Sequence, residues 1–137
     1  MAQIILISAM RCNFNKEIRM EKMNVKPATG KLGVLCVGLG AVTSTFMTGV
    51  LMARKGLAKP VGSMTQYDKM RVGRGENKKY LHYGEIVPLA NLNDIVFGAW
   101  DVYPANAYES AVNAEVLKEK DINPVKDELE KIVPMKA

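Results

Sequence analysis

The sequence predicts an α/β fold built on a doubly wound parallel sheet that is incomplete, and three observations carry this reading. Two short apolar runs of strand length, Gly33 to Val37 and Ile95 to Trp100, contain no charged residue, as expected of strands buried on both faces of a parallel sheet. Each run is followed by a turn and then by a segment with helical spacing. Strand alternating with helix along the chain calls for parallel strands joined by helical crossovers.

The elements follow in order. Residues 1–25 show neither a helical nor a strand period and are expected to form a disordered leader, so that residues 26–137 make up the domain. The run Ile4 to Ile7 is brief and has no basic residue before it, so it is not read as an export signal. From Leu32 to Ala53 the chain has 22 consecutive uncharged residues, enough for a membrane span by length alone. Gly38 and Gly40 interrupt that run and Thr43, Ser44 and Thr45 follow, so it divides into a strand and a helix instead. In the helix, Val42, Phe46, Val50, Ala53 and Leu57 recur at steps of three and four and predict one apolar stripe, with Arg54 and Lys55 in the last turn and Gly56 after it.

Val61 to Val72 and Tyr80 to Tyr83 have no decisive period. Asp94 introduces the second strand, which Asp101 and Pro104 close. Asn106 is placed to cap a second helix whose face is Tyr108, Ala111, Val112, Ala114 and Val116, continuing to Lys118 and Lys120. Pro124 then opens a charged amphipathic segment through Asp127, Leu129, Ile132 and Val133.

The whole-chain numbers narrow the function classes. At 137 residues the length fits one domain, and 48% hydrophobic with 24% charged residues is a globular composition. The cysteines, Cys12 and Cys36, provide neither a disulfide framework nor a thiolate metal site, which points to a reducing, cytoplasmic setting. The net charge of +5 is local: Arg54 to Lys79 carries eight bases against Asp68 and Glu76, and the rest of the chain sums to −1. That segment is a phosphate site, a subunit contact or a solvated loop. No basic and aromatic interleaving or helix-turn-helix spacing accompanies it, so nucleic acid is not the expected partner.

Gly38-Leu39-Gly40-Ala41-Val42 lies where a phosphate site would need it, between a buried strand and the start of a helix. The first glycine permits a tight turn, the second allows close approach, and the helix N-terminus offers free N–H groups. Thr43 replaces the third glycine of the usual dinucleotide fingerprint, and no acid lies about twenty residues on. The alternative is a tight turn with no ligand. Asp101 ends the second strand, at the sheet edge where open α/β sheets bind ligands; it either accepts ribose hydroxyls or caps backbone. His82 is the sole histidine, without partners at metal-ligand spacing, and is read as a half-exposed strand residue. Lys69, Arg71 and Arg74 are phosphate contacts or a solvated basic loop.

These segments resemble the inositol-3-phosphate synthases (myo-inositol-1-phosphate synthases). The resemblance rests on Gly33-Val34-Leu35-Cys36-Val37-Gly38-Leu39-Gly40, on Gly56-Leu57-Ala58-Lys59-Pro60-Val61-Gly62-Ser63, on Val96-Phe97-Gly98-Ala99-Trp100-Asp101 and on Asn106-Ala107-Tyr108-Glu109-Ser110-Ala111 followed by Val116-Leu117. It implies the N-terminal part of a split, Rossmann-like NAD domain in a homo-oligomer, tetrameric in the family. It also implies an isomerisation of glucose 6-phosphate to inositol 3-phosphate by oxidation at C5, cyclisation and reduction. Gly38, Leu39, Gly40, Ala41 and Val42 would hold the pyrophosphate through their backbone, and Asp101 the adenosine ribose. Ala41, Val42 and Thr43 stand where some members have a glycine followed by asparagines. The family's catalytic lysines would lie beyond Ala137, so no catalytic residue and no metal ligand is assigned, and the chain is expected to be inactive alone. An inactive nucleotide-binding module and another NAD-dependent oxidoreductase domain are the alternatives.

Overall fold

The uncharged stretch from Leu32 to Ala53 resolves in the computed structural model into a strand, a glycine turn and a helix. The structure describes residue 26 and residues 29–137; the expected leader, residues 1–25, lies outside the described residues. In chain order the elements are β1 (Leu32–Val37), α1 (Ala41–Arg54), α2 (Met64–Tyr67), β2 (Lys69–Val72), β3 (Lys79–His82), α3 (Tyr83–Ile86), β4 (Ile95–Asp101), α4 (Ala107–Asn113), α5 (Glu119–Ile122), α6 (Lys126–Glu130) and β5 (Met135–Lys136). The expected parallel sheet is present with strand order β1-β4-β5, β4 pairing in parallel with β1 on one side and β5 on the other. β5 has two residues, too few to leave a readable period in sequence.

Both crossovers step the same way across the sheet, from β1 to β4 and from β4 to β5. Right-handed connections then place α1 and the helices after β4 on one face, and α1 does pack against α4, α5 and α6. The core lies between them: Leu39, Met47, Leu51, Ala99, Ala107, Ala111, Ile122, Val125 and Leu129 are buried, with Cys36 and Phe97 packed beneath. Register follows from the pleat. The pairs Val34↔Phe97 and Cys36↔Ala99 face the helices, while Leu35↔Gly98 and Val37↔Trp100 alternate to the other side. Leu35 is 61% and Val37 89% exposed, so among the described residues helices cover one face only. This is the sense in which the doubly wound fold is incomplete.

The expected stripe on α1 is corrected. Val42, Phe46 and Leu57 are exposed, and the buried residues are Ser44, Met47, Thr48 and Leu51. The helix is apolar or small on nearly every side, so hydropathy spacing does not select a face. Packing does: α1 packs against α4, the buried residues of the two helices include the small Ser44, Thr48, Ala107 and Ala111, and both hydroxyls stay satisfied within the helix. Thr48 Oγ1 donates to the Ser44 carbonyl at 2.8 Å and Ser44 Oγ to that of Ala41 at 3.2 Å. Phe46 stacks edge-to-face on Phe97 with ring centroids 5.6 Å apart, and Val50 and Ala53 wall a groove with Pro60 and Val61. Arg54 ties the helix end to the start of β4. Its Nε donates to the Leu92 carbonyl at 2.7 Å and its Nη2 to that of Ile95, with the guanidinium over Phe97.

The second helix is also corrected. It starts at the expected cap, since Asn106 Oδ1 accepts the Glu109 N–H at 2.9 Å and Glu109 Oε2 accepts the Asn106 N–H at 3.0 Å, a reciprocal capping box. It ends at Asn113 rather than continuing to Lys120, because Glu115 adopts a left-handed φ of 53° and turns the chain. Val112 and Val116 are therefore exposed, and Ala107 and Ala111 are the buried face. The reversal brings Ile122, Val125 and Leu129 into the core. Pro124 sits in the 3-10 turn Asn123–Val125 that leads into α6, and Val133 is exposed. Lys55 fastens this segment to α1, with Nζ 2.7 Å from both Glu128 Oε1 and the Pro124 carbonyl.

The basic stretch is an antiparallel hairpin pairing Lys69↔His82 and Arg71↔Tyr80. Gly73 is required at its turn, because φ is +86° and a Cβ would sit on the Asn77 carbonyl. His82 ends β3 as an exposed residue, its N–H donating to Glu85 Oε1 at 3.3 Å.

Candidate functional site: a glycine turn and a strand-end carboxylate

The turn after β1 is fixed from three directions. The Gly38 N–H extends the ladder to the Trp100 carbonyl at 2.8 Å, and Gly38 then adopts φ +89°, a conformation glycine reaches without a Cβ penalty. Leu39 buries its side chain in the core and donates its N–H to Asp101 Oδ2 at 2.6 Å, across 62 residues of sequence. Gly40 is the N-cap of α1, extended, with no side-chain cap, and no acid occupies the first helical turn. The first N–H groups of a helix have no intrahelical acceptor, so here they face outward with the positive end of the helix dipole.

Gly40 has ordinary negative φ, and open space lies where its Cβ would point. Neither backbone conformation nor internal packing demands glycine there.

Asp101 closes the site. Oδ1 accepts the Tyr103 N–H at 3.0 Å while Oδ2 holds Leu39. These backbone N–H groups, Tyr103 first and Leu39 second, hold its carboxyl below the usual carboxylate range against an opposing desolvation. The carboxylate is thus charged at neutral pH, with lone pairs left for hydroxyl donors.

The structure brings Gly38, Leu39, Gly40, Ala41 and Asp101 onto one open cleft of about 500 Å³. Val42 is not on it and projects outward, 84% exposed. Lys69, Arg71 and Arg74 lie on the hairpin, outside the cleft. Sequence reasoning missed five of its residues: Tyr103, Ala105, Ser110, Asn113 and Ala114. Ser110 and Asn113 are three apart on α4 and share a face, but that face becomes legible only once the helix is known to sit beside the glycine turn.

An open parallel sheet with a glycine turn feeding an uncapped helix, and a carboxylate on the adjacent strand end, defines a dinucleotide-binding domain of the Rossmann class. Residues 32–137 match the family model for the NAD-binding domain of myo-inositol-1-phosphate synthase. The chain belongs to that family, and NAD is the cofactor of this domain. It is 60% identical over 117 residues to inositol-3-phosphate synthase 1 of Bacteroides thetaiotaomicron, a match covering 85% of this chain and 27% of that protein. The protein of the same name from Oryza sativa is 34% identical, with 77% of this chain and 23% of the relative covered. The crystal structure of inositol-3-phosphate synthase from Caenorhabditis elegans superposes with a TM-score of 0.69 at 27% identity, covering 80% of this chain and 24% of that one. The chain therefore spans about a quarter of the length of the relatives it matches.

Proposed function

We propose that this chain supplies the NAD site of an inositol-3-phosphate synthase that isomerises glucose 6-phosphate to inositol 3-phosphate in the cytoplasm as a homo-oligomer. The observation that carries the reading is the uncapped N-terminus of α1 with open space over Gly40, beside the ionised Asp101. The residues fit the group. The N–H groups of Gly40 and Ala41 would bind the pyrophosphate by dipole and hydrogen bond, and Asp101 would accept ribose hydroxyls. The Leu39 N–H is committed to Asp101, so its part is to position the carboxylate. Bound NAD supplies the acceptor and donor of hydride; the residues named here bind and orient it.

Calorimetric titration of the 137-residue chain with NAD tests this reading. Calorimetry suits the geometry better than tryptophan fluorescence, because Trp100 alternates to the bare side of the sheet. Saturable binding that Gly40→Val abolishes is expected, since the valine side chain would occupy the space the pyrophosphate needs. Binding that survives Gly40→Val unchanged would remove the glycine turn from the site.

A further inference from the structure

We propose that Tyr103 forms the purine wall of this site, its ring stacking on the adenine of the dinucleotide. The proposal rests on reading the cleft as the NAD site and adds a residue with which the nucleotide's base is recognised. Three observations lead to it. First, Tyr103 lines the cleft while remaining 74% exposed, although an aromatic ring is among the most strongly stabilising groups to bury. Among the described residues its ring takes part in no aromatic pair and its hydroxyl in no hydrogen bond; Phe46 and Phe97 form the stacked pair.

Second, the backbone of Tyr103 is fixed relative to the glycine turn. One oxygen of Asp101 holds the Leu39 N–H and the other the Tyr103 N–H, so the carboxylate stands between the turn and the Tyr103 backbone. The adenylate half of a dinucleotide runs diphosphate, ribose, base. With the diphosphate at the turn and the ribose at Asp101, the next position along that line is Tyr103.

Third, the surrounding lining suits a flat, weakly polar group. Ala105 and Ala114 are small, Ser110 and Asn113 offer polar groups to a ring edge, and among the described residues Asp101 is the only charged one on the cleft. A π-face accepts a purine without further side-chain chemistry.

The test is to measure affinities for NAD, ADP and inorganic pyrophosphate, by calorimetry or amide-shift titration, with the wild-type chain, Tyr103→Ala and Tyr103→Phe. Tyr103→Ala is expected to weaken NAD and ADP together by roughly tenfold, with pyrophosphate affinity and Tm unchanged, and Tyr103→Phe is expected to retain wild-type values. Unchanged NAD and ADP affinity in Tyr103→Ala overturns the proposal. So does an equal loss for pyrophosphate, which would mean that the tyrosine shapes the turn rather than meeting a base. A wild-type chain that binds none of the three overturns the reading of the cleft itself, and the proposal with it.

Discussion

Asp101 illustrates what a single residue can and cannot reveal in sequence. Its place at the end of an apolar run marked it for two roles, ribose contact or backbone cap, and spacing could not choose between them. The geometry shows the cap directly, on Leu39 and Tyr103, and leaves the lone pairs that the ribose role requires. Because the folded-state pKa is lowered, the carboxylate adds stability above its unfolded pKa, and that contribution disappears as pH falls through the lower, folded value. Asp101→Asn removes the charge and turns an amide NH₂ toward one of the two backbone donors. The variant is therefore expected to melt below wild type at neutral pH without ligand, with the gap closing as the solution is acidified below the ordinary aspartate range. Thermal scans of both proteins across that pH range measure it. A gap that is constant with pH would show that the ionised carboxylate does not brace the turn.

Among the elements, those with an explicit chemical start were legible and those defined by packing were not. β1, β4 and the beginnings of α1 and α4 are announced by glycines, by Asp94 and by the Asn106 cap. The buried face of α1 was not, because Ser44 and Thr48 look polar until their hydroxyls are seen bonded inside the helix. The end of α4 escaped notice because no glycine marks it: Glu115 takes the left-handed position itself. A non-glycine residue there costs about 1–2 kcal/mol, while glycine returns part of that through the entropy of the unfolded chain. Glu115→Gly is therefore expected to stabilise the chain by up to about 1 kcal/mol, raising Tm by a few degrees. Urea melts of the two proteins decide the matter, and a lower midpoint for the variant would show that the Glu115 side chain does more than tolerate its conformation.

At the scale of the molecule, composition announced a globular domain, but only the strand order explains why, among the described residues, helices cover one face of the sheet. Two crossovers stepping the same way put the helices on one face, leaving Leu35, Val37 and Val96 exposed on the other, with Trp100 beside them. β1 adds a strand edge that pairs on one side only among the described residues. A contiguous apolar face next to an unpaired edge is an association surface. The chain by itself is accordingly expected to associate as concentration rises through the micromolar range and to bind a hydrophobic dye in its native state. Leu35→Lys with Val37→Lys should shift it toward monomer with little change in Tm, since both side chains are already exposed and neither contributes to the core between sheet and helices. Sedimentation velocity of the two proteins gives the answer. A wild-type chain that stays monomeric, or a double variant that associates equally, would place the sticky surface elsewhere, with the groove beside Phe46 and Val50 the next to test.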